Sequence, residues 1–179
     1  AFELPVGTVA FTASTDSATE GNSGAVSKVV ATVSRTGDVS QAISVQVALN
    51  ASPGTALNPA DYSGILPKTV NFAAGDGANK TVSLTIVGET LSEGDETINL
   101  VLQNPSCGTV LGAQQTATYT IINDDKPSVK INQAAAQADP TKNSPINFTV
   151  EFSVPVSGFE AGDVTLSGTA GGTKTVNVT

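Results

Sequence analysis

Apolar and polar residues alternate along most of this chain with a period of two, and that pattern restricts it to half-buried β-strands. Successive side chains on a strand point to opposite faces, so one face can bury while the other meets solvent. Helical spacing is almost absent. The clearest runs are Lys28 to Arg35, where Val29, Ala31 and Val33 oppose Val30, Thr32 and Ser34, and Ile43 to Leu49, with Ile43, Val45, Val47 and Leu49 on one face. Thr81 to Val87 aligns Val82, Leu84 and Ile86, and Thr97 to Gln103 aligns Ile98, Leu100 and Leu102. Val9 to Ala13, a short run near Thr69 to Phe72, and Thr116 to Ile122, with Ala117, Tyr119 and Ile121 as one candidate face, bring the count to seven. Turn-forming segments separate them: Gly21 to Gly24, Thr36 to Asp38, Ser52 to Gly54, Gly75 to Gly77 and Asn104 to Gly108. Seven short strands of this kind predict an all-β, two-sheet antiparallel sandwich over residues 1–125.

Asp124-Asp125-Lys126-Pro127 marks a boundary, because Pro127 resists continuing a central strand. A new β pattern begins at Ser128 to Ile131 and is strongest at Ile146 to Phe152, with weaker runs at Val164 to Leu166 and Thr173 to Val178. Ala134 to Ala138 reads as at most a helical turn before Pro140. Residues 126–179 are too few for a self-sufficient sandwich, so this segment is expected to be a partial β domain, truncated or completed by a strand from elsewhere. The absence of Met likewise suggests a piece of a longer product.

Composition removes much chemistry. Without His, most nucleophile–base pairs, haem ligation and nearly every zinc site are gone. A lone Cys, Cys107, can neither close a disulfide within the chain nor build a thiolate cage, and reads as an incidental thiol. Sixteen acidic residues against 8 basic give a formal charge of -8, which argues against nucleic acid and anionic membrane surfaces. No run approaches the roughly 20 apolar residues of a membrane span. A glycoside hydrolase built on Glu89, Glu93 and Glu96 would need an aromatic sugar platform, but there is no Trp and only Tyr62 and Tyr119. No enzyme is expected.

Strand parity sorts the acids. If seven strands run alternately up and down, the ends of the first, third, fifth and seventh share one pole. Eight of the 16 acids fall there: Glu20, Asp61, Glu89, Glu93, Asp95, Glu96, Asp124 and Asp125. Only Asp38 and Asp76 fall in the connections of the opposite pole. Two carboxylates about 5 Å apart repel by roughly 0.8 kcal/mol even at the dielectric of water. A hard cation relieves that repulsion. Ca²⁺ accepts six to eight oxygens in flexible geometry, so distant loops can supply them, whereas Mg²⁺ keeps its waters and fits a multi-carboxylate cage less well.

The run Glu20-Gly21-Asn22-Ser23-Gly24, then Asp61-Tyr62, Phe72 and Gly75-Asp76, resembles a Calx-β domain. The resemblance continues through Lys80 to Val87, Gly88-Glu89-Thr90-Leu91-Ser92-Glu93-Gly94-Asp95-Glu96, Leu102, Asn104-Pro105 and Thr120-Ile121-Ile122-Asn123-Asp124-Asp125. It implies a seven-stranded immunoglobulin-like sandwich with Ca²⁺ bound by loops at one pole. The ligands it implies are Glu20, Asp61, Glu89, Glu93, Glu96, Asp124 and Asp125. Gly88 stands where the strongest binders carry Asp, and Asn123 where they begin an Asp triplet, which implies fewer or weaker ions. The second segment resembles bacterial Ig-like repeats in Ile146 to Ser153, Val156, Gly158-Phe159, Asp163-Val164 and Leu166-Ser167-Gly168. Together these resemblances imply a calcium-binding structural or adhesion module of a secreted or surface-anchored multidomain bacterial protein. Its implied partners are neighbouring β domains of the same parent chain, with a surface or matrix ligand or self-assembly as further options. A strand-exchanging filament subunit and a metal-free spacer are the alternatives.

Overall fold

Two five-stranded sheets enclose a core drawn from both, in a computed structural model that describes residues 6–106, 108–169 and 171–179. Cys107 lies outside the described residues. The strands are β1 (Gly7–Phe11), β2 (Thr15–Thr19), β3 (Gly24–Thr36), β4 (Ile43–Gly54), β5 (Tyr62–Ser63) and β6 (Lys68–Phe72). They continue with β7 (Lys80–Gly88), β8 (Glu96–Gln103), β9 (Thr109–Leu111) and β10 (Thr116–Ile122). One sheet has the order β5-β7-β3-β1-β9 and the other β2-β10-β8-β4-β6. This is the all-β sandwich expected from the alternation.

The expected first strand is two strands in different sheets. β1 pairs antiparallel with β3, and after Phe11 the chain crosses so that β2 lies parallel to β10, with Thr15 opposite Thr118 and Thr19 opposite Ile122. β1 also pairs in parallel with β9. The sandwich is therefore antiparallel inside and parallel along two edges. β2 reads TDSAT and is mostly exposed, so it carries no apolar alternation, while β5 and β9 are too short to show a period.

Two phase corrections follow from irregular registers. In β3 a bulge between Val29 and Ala31 leaves both Val30 and Ala31 buried and Val29 exposed. One extra residue flips the alternation, so the inward face becomes Val30, Ala31, Val33 and Arg35. In β4 the register breaks after Leu49, which turns partly outward while Ala48 buries, and Ser52 to Gly54 extend the strand instead of forming a turn. Elsewhere the expected faces bury: Val82, Leu84 and Ile86; Ile98, Leu100 and Leu102; Ala117, Tyr119 and Ile121.

Residues 127–179 form a separate unit. Its strands β11 (Val129–Gln133) and β12 (Phe148–Phe152) pair antiparallel. Cross-strand pairs Val129–Phe152 and Ile131–Val150 share one face, and Lys130 faces Glu151 on the other. Phe159 meets the edge of Phe152 at 5.1 Å. Asn147, expected within the strand, instead donates its N–H to the Gln137 side chain, and Ala134 begins a turn. Val164 to Leu166 and Thr173 to Val178 are not strands; neither has a ladder partner among the described residues. The 3₁₀ turn Ala161–Asp163 is held by the Asp163 carboxylate, which accepts the Glu160 N–H at 3.0 Å, so that acid serves a local cap. Among the described residues no helix is long and apolar enough to cross a membrane.

The end of the sandwich away from Glu20 is organised by Arg35, only 4% exposed. Its Nη2 donates to the carbonyls of Asp38 at 2.8 Å, Gln41 at 2.7 Å and Val6 at 3.2 Å, and Nη1 to Ala73 at 3.4 Å. One planar cation thus ties the β3–β4 and β6–β7 connections to the start of β1. Arg35→Lys keeps the charge but loses the fork, stranding buried carbonyls. It is expected to cost about 3 kcal/mol, seen as a lower urea midpoint at unchanged m-value. The loss should be equal in Ca²⁺ and in chelator, because distant sites add independently.

Candidate metal centre

The ends of β2, β4, β7 and β10 and the starts of β3 and β8 meet at one pole. Glu20 follows β2, and its N–H donates to the Ile122 carbonyl at 3.1 Å, which anchors it beside the end of β10. Glu89 follows β7, and its Oε2 accepts the Leu91 N–H at 2.7 Å. Asp125 leaves β10, and its Oδ1 accepts Asn22 Nδ2 at 2.6 Å. Carboxylate oxygens of these three residues lie within 4.8 Å of one another.

A second group forms beside the first. Asp61 sits on the loop between β4 and β5, where its Oδ2 accepts the Leu57 N–H at 2.6 Å. Its carbonyl accepts the Val87 N–H at 2.9 Å, and the neighbouring Tyr62 is buried in the core, so the loop is pinned to β7. Oxygens of Asp61, Glu93 and Glu96 also lie within 4.8 Å of one another. Six of the seven expected ligands are thereby brought into two groups. The seventh, Asp124, belongs to neither; its Oδ1 accepts the Gly21 N–H at 3.1 Å.

One observation separates the first group from ordinary surface acids. Among the described residues, four buried side-chain polar atoms lack a hydrogen-bond partner, and three of them are Glu20 Oε1, Glu89 Oε1 and Asp125 Oδ2. Each member of the group thus presents one buried oxygen with no donor. Such orphans are costly unless something satisfies them. Two oxygens opposite each other on one Ca²⁺ stand about 4.8 Å apart, so the spacing suits a shared ion. Hard carboxylate donors without nitrogen or sulfur also suit a hard dication.

The same crowding raises proton affinity. Burial, then the charges of Glu89, Glu93, Asp125 and Asp124, lift the Glu20 carboxyl to about 7. Burial, then a hydrogen bond and charge from Asp61, with Glu93 and Glu20 behind, lift Glu96 to about 7. Glu93 is also raised, by burial, the charges of Glu89 and Asp61 and a hydrogen bond to Glu89. The opposite pole behaves inversely. Ser40 donors hold Asp38 low, and Lys80, at 2.6 Å, holds Asp76 low.

Residues 6–125 match the Calx-beta domain family. The chain belongs to that family. It is similar to the crystal structure of the apo-form Calx CBD1 domain, at 27% identity and TM-score 0.57, over 67% of this chain and 99% of that one. It is also similar to CBD12 from CALX1.2, at 27% identity and TM-score 0.56, over 66% of this chain. The calcium binding domain CBD12 of CALX1.1 matches at 25% identity and TM-score 0.53, over 65% of this chain. The chain spans only 45% and 44% of those two longer structures. No curated protein matches. Calx-beta domains are calcium-binding and regulatory modules rather than enzymes.

Within this Calx-beta domain, several site residues were not legible as such. Asn123, which stands where the Asp triplet would begin, spends its side-chain oxygen on the Asp125 N–H at 2.9 Å, and its Nδ2 donates to the Leu91 carbonyl. Asp95 accepts the Asn123 N–H at 3.1 Å. Asn22 fixes Asp125. These are holding contacts, and only their position within the matched motifs hinted at them.

The raised carboxyls fix a pH dependence. A carboxyl whose folded pKa lies above its unfolded value of 4.5 favours folding most below 4.5, and that contribution disappears as pH rises through about 7. In chelator, the melting temperature is therefore expected to fall between pH 4.5 and 8. Asp38 and Asp76, with lowered pKa, act in a separate window, withdrawing stability only as pH drops below 3.8. Combining Glu20→Gln with Glu96→Gln should flatten the upper slope; a level wild-type profile would contradict the crowding.

Proposed function

We propose that this Calx-beta domain is a Ca²⁺-binding structural module, in which Glu20, Glu89 and Asp125 hold one ion and Asp61, Glu93 and Glu96 a second. The three donor-less buried oxygens of the first group carry this reading. Asp124 supports the site from outside by engaging the Gly21 N–H. Bound Ca²⁺ supplies positive charge that offsets the carboxylate repulsion. Proton release accompanies binding, because the raised carboxyls must ionise.

The mechanical consequence lies in the exit segment. Asp125 joins carboxylates from the ends of β2 and β7, so an ion there ties the chain leaving β10 to both sheets. We propose that this restrains the path into residues 127–179 and stiffens the junction. The module then serves a secreted or surface-anchored bacterial protein of several β domains, with adhesion as its setting. Affinity in the range of extracellular calcium modules, about 10⁻⁴–10⁻³ M, suits such a place.

Calorimetric titration of the whole chain with Ca²⁺ tests the reading. Saturation at about 100 times the dissociation constant should add about 2.7 kcal/mol of stability. Glu89→Gln should abolish one binding step and Glu96→Gln the other, and scattering should show a narrower range of dimensions with Ca²⁺. Identical melting curves in Ca²⁺ and in chelator would leave a metal-free spacer.

A second reading, strand exchange between copies, is favoured by one observation: Val129, Ile131 and Phe148 of the β11–β12 sheet are more than half exposed. A two-stranded sheet is marginal by itself. Sedimentation at rising concentration should then show association that Ile131→Lys abolishes, and a concentration-independent monomer rejects it.

A further inference from the structure

We infer that Gly88 is the positioning residue of the first carboxylate group, and that its missing side chain, not the number of acids nearby, sets how that group binds Ca²⁺. The inference rests on the calcium reading above. Between β2 and β3 the chain passes from one sheet to the other, and it does so directly over the end of β7. A Cβ at Gly88 would lie 2.2 Å from the Gly21 carbonyl oxygen, 2.7 Å from that of Glu20 and 3.0 Å from the Gly21 carbonyl carbon. All three are backbone atoms, which cannot swing aside as a flexible side chain can. Any residue other than glycine must therefore push the Glu20–Gly21 segment away from β7.

That segment carries one member of the group, and Glu89, next after Gly88, is another. Glu20 cannot yield freely on its other side. Its N–H is bonded to Ile122, while the Gly21 N–H is bonded to Asp124 and the Asn22 side chain to Asp125. Displacing the crossing thus separates Glu20 from Glu89 and pulls on Asp125 as well. The second group, Asp61, Glu93 and Glu96, has no member on this crossing. Gly88 also opens the β3–β7 ladder opposite Gly24, so the effect is confined to the end of the sheet.

The consequence opposes both simple charge counting and the sequence-based reading of Gly88 as a missing ligand. In this chain the crossing backbone leaves no room for the Asp that the strongest binders carry there. Gly88→Asp adds a carboxylate to an acidic pole, yet it should weaken the first site about 10-fold to 100-fold, as loss of a supporting residue does. Gly88→Ala should weaken it similarly and leave the step that Glu96→Gln removes unchanged. Thr90→Asp, which adds the same charge at an exposed position on the same loop, should not weaken binding. Calcium titration calorimetry of the full chain, with circular dichroism checking the fold, reads all of these. Should the Gly88 variants not fold, Gly21→Ala perturbs the same crossing from the other side. Its Cβ meets nothing within 4 Å, but its φ of +82° strains it, and it should lower first-site affinity selectively. Wild-type affinity in Gly88→Ala, or tighter binding in Gly88→Asp, overturns the inference. Absence of any binding in the wild type overturns instead the calcium reading beneath it.

Discussion

Between Phe11 and Thr15 the chain leaves one sheet and joins the other, and the acidic end of the sandwich depends on that step. Because β2 lies beside β10, Glu20 emerges next to Ile122, one turn of chain from Asp125. Because the following link must return to the first sheet, it crosses β7 at Gly88 and brings Glu20 against Glu89. Backbone ladders fix both encounters, so the carboxylates approach one another regardless of their repulsion. The hydrophobic core supplies the free energy that holds them there; the polar end is its dependent.

The two poles handle buried charge in opposite ways. At one, a single guanidinium is surrounded by backbone carbonyl dipoles, which solvate its charge from within the chain. At the other, carboxylates face each other with orphaned oxygens, and the neighbouring donors from Asn22, Leu57 and Leu91 satisfy only part of their capacity. The first arrangement satisfies its guanidinium within the chain except at Arg35 Nε, which finds no acceptor. The second requires protons or a cation, and so responds to its surroundings.

Much of this was legible in the sequence because alternation and parity are strong constraints. The interior strands β4, β7, β8 and β10 announce themselves by buried faces, and counting them alternately up and down collects the acids correctly. What escaped was whatever lacks a period. β2 is polar and exposed, and β9 has three residues, yet together these edges create the parallel pairings. The β3 bulge puts Val30 rather than Val29 on the buried face with Ala31 and Val33, since one inserted residue is invisible to a period-two count. At the site, the residue types singled out by the family motif did assemble, all but Asp124 into the two groups. The division into two groups was not legible, because it depends on which loop Asp61 and Glu89 are pinned to. Gly88 appeared only as a missing ligand; its steric meaning needs the crossing backbone. In residues 127–179 the alternation of Thr173 to Val178 overpredicted, since a strand exists only where a neighbour completes its ladder.

The parallel edge has a mechanical meaning. Consider the domain pulled apart between residue 6 and Lys126. β2 and β10 run side by side in the same direction, so their outer ends are drawn opposite ways and the strands are driven to slide past each other. Five paired positions, Thr15–Thr118 through Thr19–Ile122, then carry load together instead of opening one at a time from an end. In this geometry such a pull meets the ladder in shear, and Glu20 and Asp125 stand at the end of β2 and the exit of β10, where the two strands would slide apart.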